Sequence, residues 1–161
     1  MTAIPYGPLD SNLDLVLERI VDVPRHLVWR AWTEPEHLMP WFCPTPWSVS
    51  ECQIDLRVGG QCRTVMRGPA GEVMPNIGTY LDIVPMERLV FTDALTGGFR
   101  PSGGGFMTAM ILLEDAGNGT KYTAIAKHAD QAMRVKHEEM GFHDGWGTAL
   151  TQLVEYVKKT F

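Results

Sequence analysis

From Asp130 to Phe161 runs the one stretch of this chain long and periodic enough to form a long amphipathic helix. Phe142, Trp146, Leu150, Leu153, Val154 and Val157 recur at helical spacing and define one apolar face. Val135 shares that face, whereas Met133, His137 and Met140 form a second stripe turned about a third of a circle away. Two arrangements satisfy both stripes. Either the helix is apolar over a wide arc, or it bends near Gly141, where glycine weakens a helix by about 1 kcal/mol relative to alanine. A helix of this kind needs a broad surface to cover its apolar side. The rest of the chain must supply one.

Residues 12–128 read as strands interrupted by two short helices. Leu13 to Val21 alternates as a strand. Pro24 then suits a first helical turn, where its missing N–H has no partner, and Leu27, Val28, Ala31 and Trp32 follow at helical spacing. Thr33-Glu34-Pro35 restarts a second short helix reaching Met39. Pro35, Pro40, Pro44 and Pro46, interleaved with Trp41, Phe42 and Trp47, stop further helix. Val49–Leu56 and Gln61–Arg67 form a hairpin about Gly59-Gly60, Asn76–Val84 and Arg88–Asp93 follow, and Phe106–Leu113 with Thr120–His128 close the series. Gly97 to Gly105 is a mobile loop by composition, without the lysine or flanking elements of a phosphate-binding loop. Segregated elements in this order predict an α+β fold, a curved, mostly antiparallel sheet of about six or seven strands around the C-terminal helix. Residues 1–11, with two prolines and little pattern, are expected to be a loose arm, and 12–161 a single domain.

Composition excludes several functions. A net charge of −5 and a pI near 5.5 argue against nucleic acid, whose binders need a clustered basic face. No apolar run approaches the ~20 residues of a membrane span. The N-terminus lacks the basic start and apolar run of a signal peptide, and three cysteines without zinc-site spacing (Cys43, Cys52, Cys62) fit free thiols in a reducing cytoplasm. No cofactor motif is present. Nine methionines are many for this length; Met66, Met107, Met110, Met133 and Met140 would suit a pocket that adapts its shape.

Five segments in order carry a family resemblance. They are VPRHLVWRAWTEPEHLMPWF from Val23, DLRVGG from Asp55, GTYLDIVPMERLVFT from Gly78, GNGTKYTA from Gly117 and GFHDGWGTALTQLVEYV from Gly141. Together they resemble the activator of heat-shock-protein-90 ATPase homologue family, within the START-like or Bet v 1-like (SRPBCC) helix-grip superfamily, over nearly the whole chain. The resemblance implies a ligand cavity between sheet and long helix. It also implies chaperone contact in a stress response, although eukaryotic members use an additional N-terminal domain for that contact and this sequence has no stretch for one.

On that expectation the ligand-binding residues are Trp41, Met66, Tyr80, Phe91, Met110, His128, Met133 and His137. They combine apolar surface with a few polar groups, as small-molecule pockets do. His128 and His137 are the candidate acid–base residues, with Tyr80 or Asp55 as partner. Asp55 and Arg57 also fit a plain ion pair beside the Gly59-Gly60 turn. His137-Glu138-Glu139-Met140-Gly141 fails as a zinc motif because glycine stands where the second histidine belongs, and His143 falls on another helix face, so no metal site is expected. No serine or cysteine has the context of an activated nucleophile. The first expectation is a cytoplasmic binding protein for a small hydrophobic or amphipathic molecule. A cyclase-, hydratase- or lyase-type enzyme and a chaperone-interaction module are the alternatives, with homodimer formation through the Trp41–Trp47 segment.

Overall fold

The computed structural model describes residues 4–161; residues 1–3 of the expected arm lie outside the described residues. In chain order the elements are β1 (Asp14–Val21), α1 (Arg25–Thr33), α2 (Pro35–Leu38), β2 (Ser48–Ile54), β3 (Gln61–Arg67), β4 (Val73–Val84) and β5 (Arg88–Thr92). Then come β6 (Leu95–Thr96), β7 (Arg100–Pro101), β8 (Thr108–Ala116), β9 (Gly119–Lys127), α3 (Gln131–Glu139) and α4 (Phe142–Thr160). Seven strands form one antiparallel sheet in the order β1-β9-β8-β5-β4-β3-β2. Helices α1 and α2 carry the chain from the β1 edge to the β2 edge. This is the expected α+β helix-grip arrangement.

Alternation along the central strands decides the two faces. Leu89, Ile111, Leu113, Tyr122 and Ala124 point to the face that grips α4, together with Tyr80. Val90, Met110, Leu112 and Ile125 point the other way and form a separate cluster on the back. Leu150, Leu153 and Val157 of α4 are all but fully buried against the gripping face, each side chain contributing about 1.5–3 kcal/mol on burial. Arg19 of β1 reaches α4 as well, donating to the Gly147 carbonyl at 3.2 Å, where a side chain would meet its guanidinium.

Two loose-looking segments are tied down. The N-terminal arm expected to be free packs Ile4 on the back cluster, and the Tyr6 hydroxyl donates to the Asp82 carboxylate. Arg88, paired with the same carboxylate, lies 5.8 Å from the centre of the Tyr6 ring. The glycine-rich loop forms the small β6–β7 ribbon with a single 3-10 turn at Gly97–Phe99. Gly98 donates to the Gly59 carbonyl at 2.8 Å, and the Phe99 ring lies so close to Gly59 that an added Cβ would stand 2.8 Å from it. A bare Gly59 at positive φ therefore anchors what composition alone marks as mobile.

The C-terminal stretch is two helices, which settles the choice left open by its two apolar stripes. Asp130 caps α3 by accepting from the Met133 N–H at 2.8 Å. Gly141 has φ 93 and ends one helix as it begins the next. An added Cβ at Gly141 would meet nothing within 4 Å, so only the backbone conformation demands glycine there. Gly145, inside α4, is equally unobstructed but has no positive φ. Opposite outcomes follow: Gly141→Ala should lower stability by about 1–2 kcal/mol, and Gly145→Ala should raise it by up to about 1 kcal/mol. Urea unfolding of the two variants beside the parent measures both, and equal effects would contradict the left-handed turn at Gly141.

Candidate functional site

Between the gripping face of the sheet and the N-terminal half of α4 lies a cavity of about 580 Å³. Its walls are built from three parts of the chain. Tyr80 and Phe91 rise from the sheet, Cys52, Cys62 and Met66 from β2 and β3, and His137, Phe142 and Trp146 from the α3–α4 corner. Trp41, Phe42 and Trp47 of the proline-rich segment close the remaining side. Met74 and Ile77 of β4 and Met140 line it too and are exposed, marking its mouth.

The aromatic wall is held by edge-to-face packing. The ring centre of Trp32 stands 5.1 Å from that of Trp41 and 5.8 Å from that of Phe42. Gln152 of α4 fixes the segment's backbone: its amide donates to the carbonyls of Trp41 (3.0 Å) and Cys43 (2.8 Å) and accepts from the Thr45 N–H at 3.1 Å. Sequence pattern could not reveal this role, because a polar residue on a helix gives no sign of which distant backbone it meets. Within the Trp41–Trp47 segment, expected to be an exposed self-association surface, Trp41 (2% exposed) and Cys43 turn inward, whereas Thr45 and Pro46 stay exposed.

The expected ligand-binding residues divide. Trp41, Met66, Tyr80, Phe91 and His137 come together around the cavity. Met110 does not: it is buried on the back of the sheet, because it pairs with Val90 one residue out of phase with Leu89 and Phe91. Met133 does not either. It lies one turn before His137 on α3, past the end of the cavity, where that helix packs on β1. His128 stands behind His137 and does not line the cavity. Asp55 is excluded as a cavity acid. It pairs with Arg57 at 2.8 Å on the exposed turn before Gly60, where an added Cβ would collide with the Asp55 carbonyl.

The two histidines form a directed chain. His128 Nδ1 lies 2.8 Å from the Leu13 carbonyl, which only accepts, so this nitrogen carries the proton. With both rings neutral, His128 Nε2 is then an acceptor, and His137 Nδ1, 2.9 Å away, donates to it. His137 Nε2 is left as a lone pair without a protein partner among the described residues. The ring sits against Phe106, Phe142 and Trp146 at centre distances of 4.8, 5.2 and 6.1 Å.

A family model described as Activator of Hsp90 ATPase homolog 1-like protein matches residues 22–158. The chain belongs to this family. It is similar to a crystal structure of a Nitrosomonas europaea protein at 50% identity, with a TM-score of 0.92 over 94% of this chain and 97% of that one. A solution structure of a protein from Arthrobacter aurescens is 24% identical, with a TM-score of 0.80 over 98% of this chain and 93% of that one. The AHSA1-like protein from Aeromonas hydrophila is 19% identical, with a TM-score of 0.71 over 91% and 93%. These last two likenesses show a shared fold. No match is found among curated proteins. No helix among the described residues is long and apolar enough to cross a membrane.

In this Activator of Hsp90 ATPase homolog 1-like chain the thiols, the Tyr80 phenol and the His137 imidazole of the cavity are held uncharged. Burial pushes the thiols of Cys43, Cys52 and Cys62 up to about 11, and Cys52 adds to the effect on Cys62. Burial, followed by the nearby thiols, raises the Tyr80 phenol as well. His137 is lowered to about 4, by burial first and His128 second. Arg63 of the lining is engaged with Glu51 at 3.3 Å, and Asp93 accepts from the backbone N–H of Phe106 and Met107 at 2.7 and 3.1 Å.

The depressed His137 value fixes a direction for stability. The unfolded imidazole takes up its proton near pH 6.5, the folded one near 4. The contribution is complete above about pH 6.5 and is lost as pH falls towards 4, because the unfolded chain then binds more protons. Its slope is at most about 1.4 kcal/mol per pH unit, reduced by solvent screening at the mouth. His137→Gln should flatten the fall in unfolding free energy between pH 6.5 and 4, and parallel urea-derived profiles for variant and parent would refute the buried neutral ring.

Proposed function

We propose that this protein binds a small hydrophobic or amphipathic molecule between its sheet and the N-terminal half of α4. The observation that carries this reading is the cavity of about 580 Å³ with aromatic and sulfur-bearing walls. That volume lies in the range of small-molecule sites, about 300–1,000 Å³. His137 Nε2 and the hydroxyl of Tyr80, which is 3% exposed, belong to residues that line this largely apolar space and have no protein hydrogen bond among the described residues. Buried polar groups are ordinarily paired, so groups left open in a cavity are suited to a ligand.

The same chemistry ranks the alternatives. An enzyme using His137 as general base would need a proton affinity near the working pH, whereas this ring is lowered to about 4. Binding without covalent chemistry is therefore the better fit. Contact with a chaperone rests on the family's description, and cytoplasmic residence on the free thiols; neither draws on the cavity.

A panel of hydrophobic metabolites screened by thermal unfolding tests the proposal. A cavity ligand at a hundred times its dissociation constant should stabilise the fold by about 2.7 kcal/mol. Cys62→Phe, which places a ring in the cavity beside Tyr80, should abolish the gain for every hit. Hits that stabilise this variant as well as the parent would locate the site elsewhere.

A further inference from the structure

The hydrogen-bond chain Leu13–His128–His137 has a polarity, and that polarity is a statement about the ligand. The Leu13 carbonyl orients His128, His128 Nε2 accepts a hydrogen bond from His137 Nδ1–H, and His137 Nε2 is left as an acceptor on a residue that lines the apolar chamber. His137 is 7% exposed, so this lone pair is largely withdrawn from bulk water. Among the described residues, Arg63 is the one Arg or Lys of the lining, and it is bound to Glu51. A carboxylate placed beside His137 would meet a lone pair in an apolar enclosure, and burying an unpaired charge is costly.

We propose that the ligand is an uncharged molecule carrying a hydroxyl group, an alcohol or a phenol, whose O–H donates to His137 Nε2 while its hydrocarbon body fills the space beneath Trp41, Phe91 and Trp146. This rests on the ligand-binding reading above and narrows it. Anionic lipids and fatty acids are excluded by it. His128 is the positioning residue: it does not touch the ligand but fixes which nitrogen of His137 is bare.

Three matched probes test the assignment: 2-naphthol, its methyl ether 2-methoxynaphthalene, and 2-naphthoate. Titration calorimetry on the full chain near neutral pH should give 2-naphthol about tenfold tighter than the ether, the effect of one net hydrogen bond. The naphthoate should be weaker than both. In His137→Phe the ratio of naphthol to ether should fall to about one. Nitrogen NMR of the imidazoles in the parent needs no variant to fold: Nε2 of His137 should resonate as an unprotonated nitrogen and move upfield with naphthol but not with the ether. Equal binding of naphthol and ether to the parent, or preference for naphthoate, overturns the hydroxyl assignment while leaving the cavity as a binding site. Failure of all three to bind overturns the ligand-binding reading itself, and this inference with it.

Discussion

One helix must satisfy two unlike surfaces, and the rest of the architecture follows from how it does so. The C-terminal half of α4 places Leu150, Leu153 and Val157 against a filled core that includes Val28 of α1. Its N-terminal half carries Phe142, which packs with Leu15 of β1 and Ala126 of β9. The helix is thus held at both ends, and the sheet curves away beneath the interval between them. Trp146 and Ala149 look across that interval towards Tyr80 and Phe91. The cavity lies in that interval, between the two places where α4 packs on the sheet.

The glycine that ends α3 extends the same logic. A continuous helix would have carried Met133, His137 and Met140 along a second stripe, away from the sheet. With Gly141 at φ 93 the chain turns, and α3 leans on β1 so that His137 enters the end of the chamber. The Asp130-capped start of α3, two residues past His128, folds His137 back onto His128, which lies just beyond the end of β9. The histidine pair in turn decides the hydrogen-bonding character of that wall.

All seven strands of the main sheet were legible from alternation and turn residues, since period-two patterning is local. What alternation cannot convey is which parity faces the helix. Met110 and Phe91 look equally suited to a pocket, yet the register of β5 against β8 puts them on opposite sides. Long-range contacts were illegible for a related reason. Tyr6 finding Asp82, Phe99 finding Gly59 and Gln152 finding the backbone of Trp41 and Cys43 all depend on residues far apart in the chain. Composition describes the arm and the glycine-rich loop as free because it registers conformational entropy and not the partner that offsets it. The inward turn of Trp41 shows the converse: a cluster of aromatics beside prolines looks like an exposed patch until Gln152 ties its backbone to α4.

The chamber is not simply greasy. Three thiols, a phenol and an imidazole line it, and at neutral pH burial keeps the thiols, the phenol and His137 uncharged. A purely aliphatic wall would pack more favourably, because a buried polar group without a partner costs about 1–3 kcal/mol. Retaining Tyr80 and His137 there sacrifices stability that alternative side chains would supply. Such a sacrifice is intelligible if the missing partners arrive with the ligand, since a hydrogen bond made only on binding discriminates among molecules of equal bulk far better than shape does. Shape is the weaker filter here: Met66, Met74, Met107 and Met140 around the space are flexible and accommodate many outlines. On the ligand-binding reading proposed above, selectivity would fall on the few fixed polar atoms, and the best fixed of them is His137 Nε2, left bare because the ring's proton is held on Nδ1.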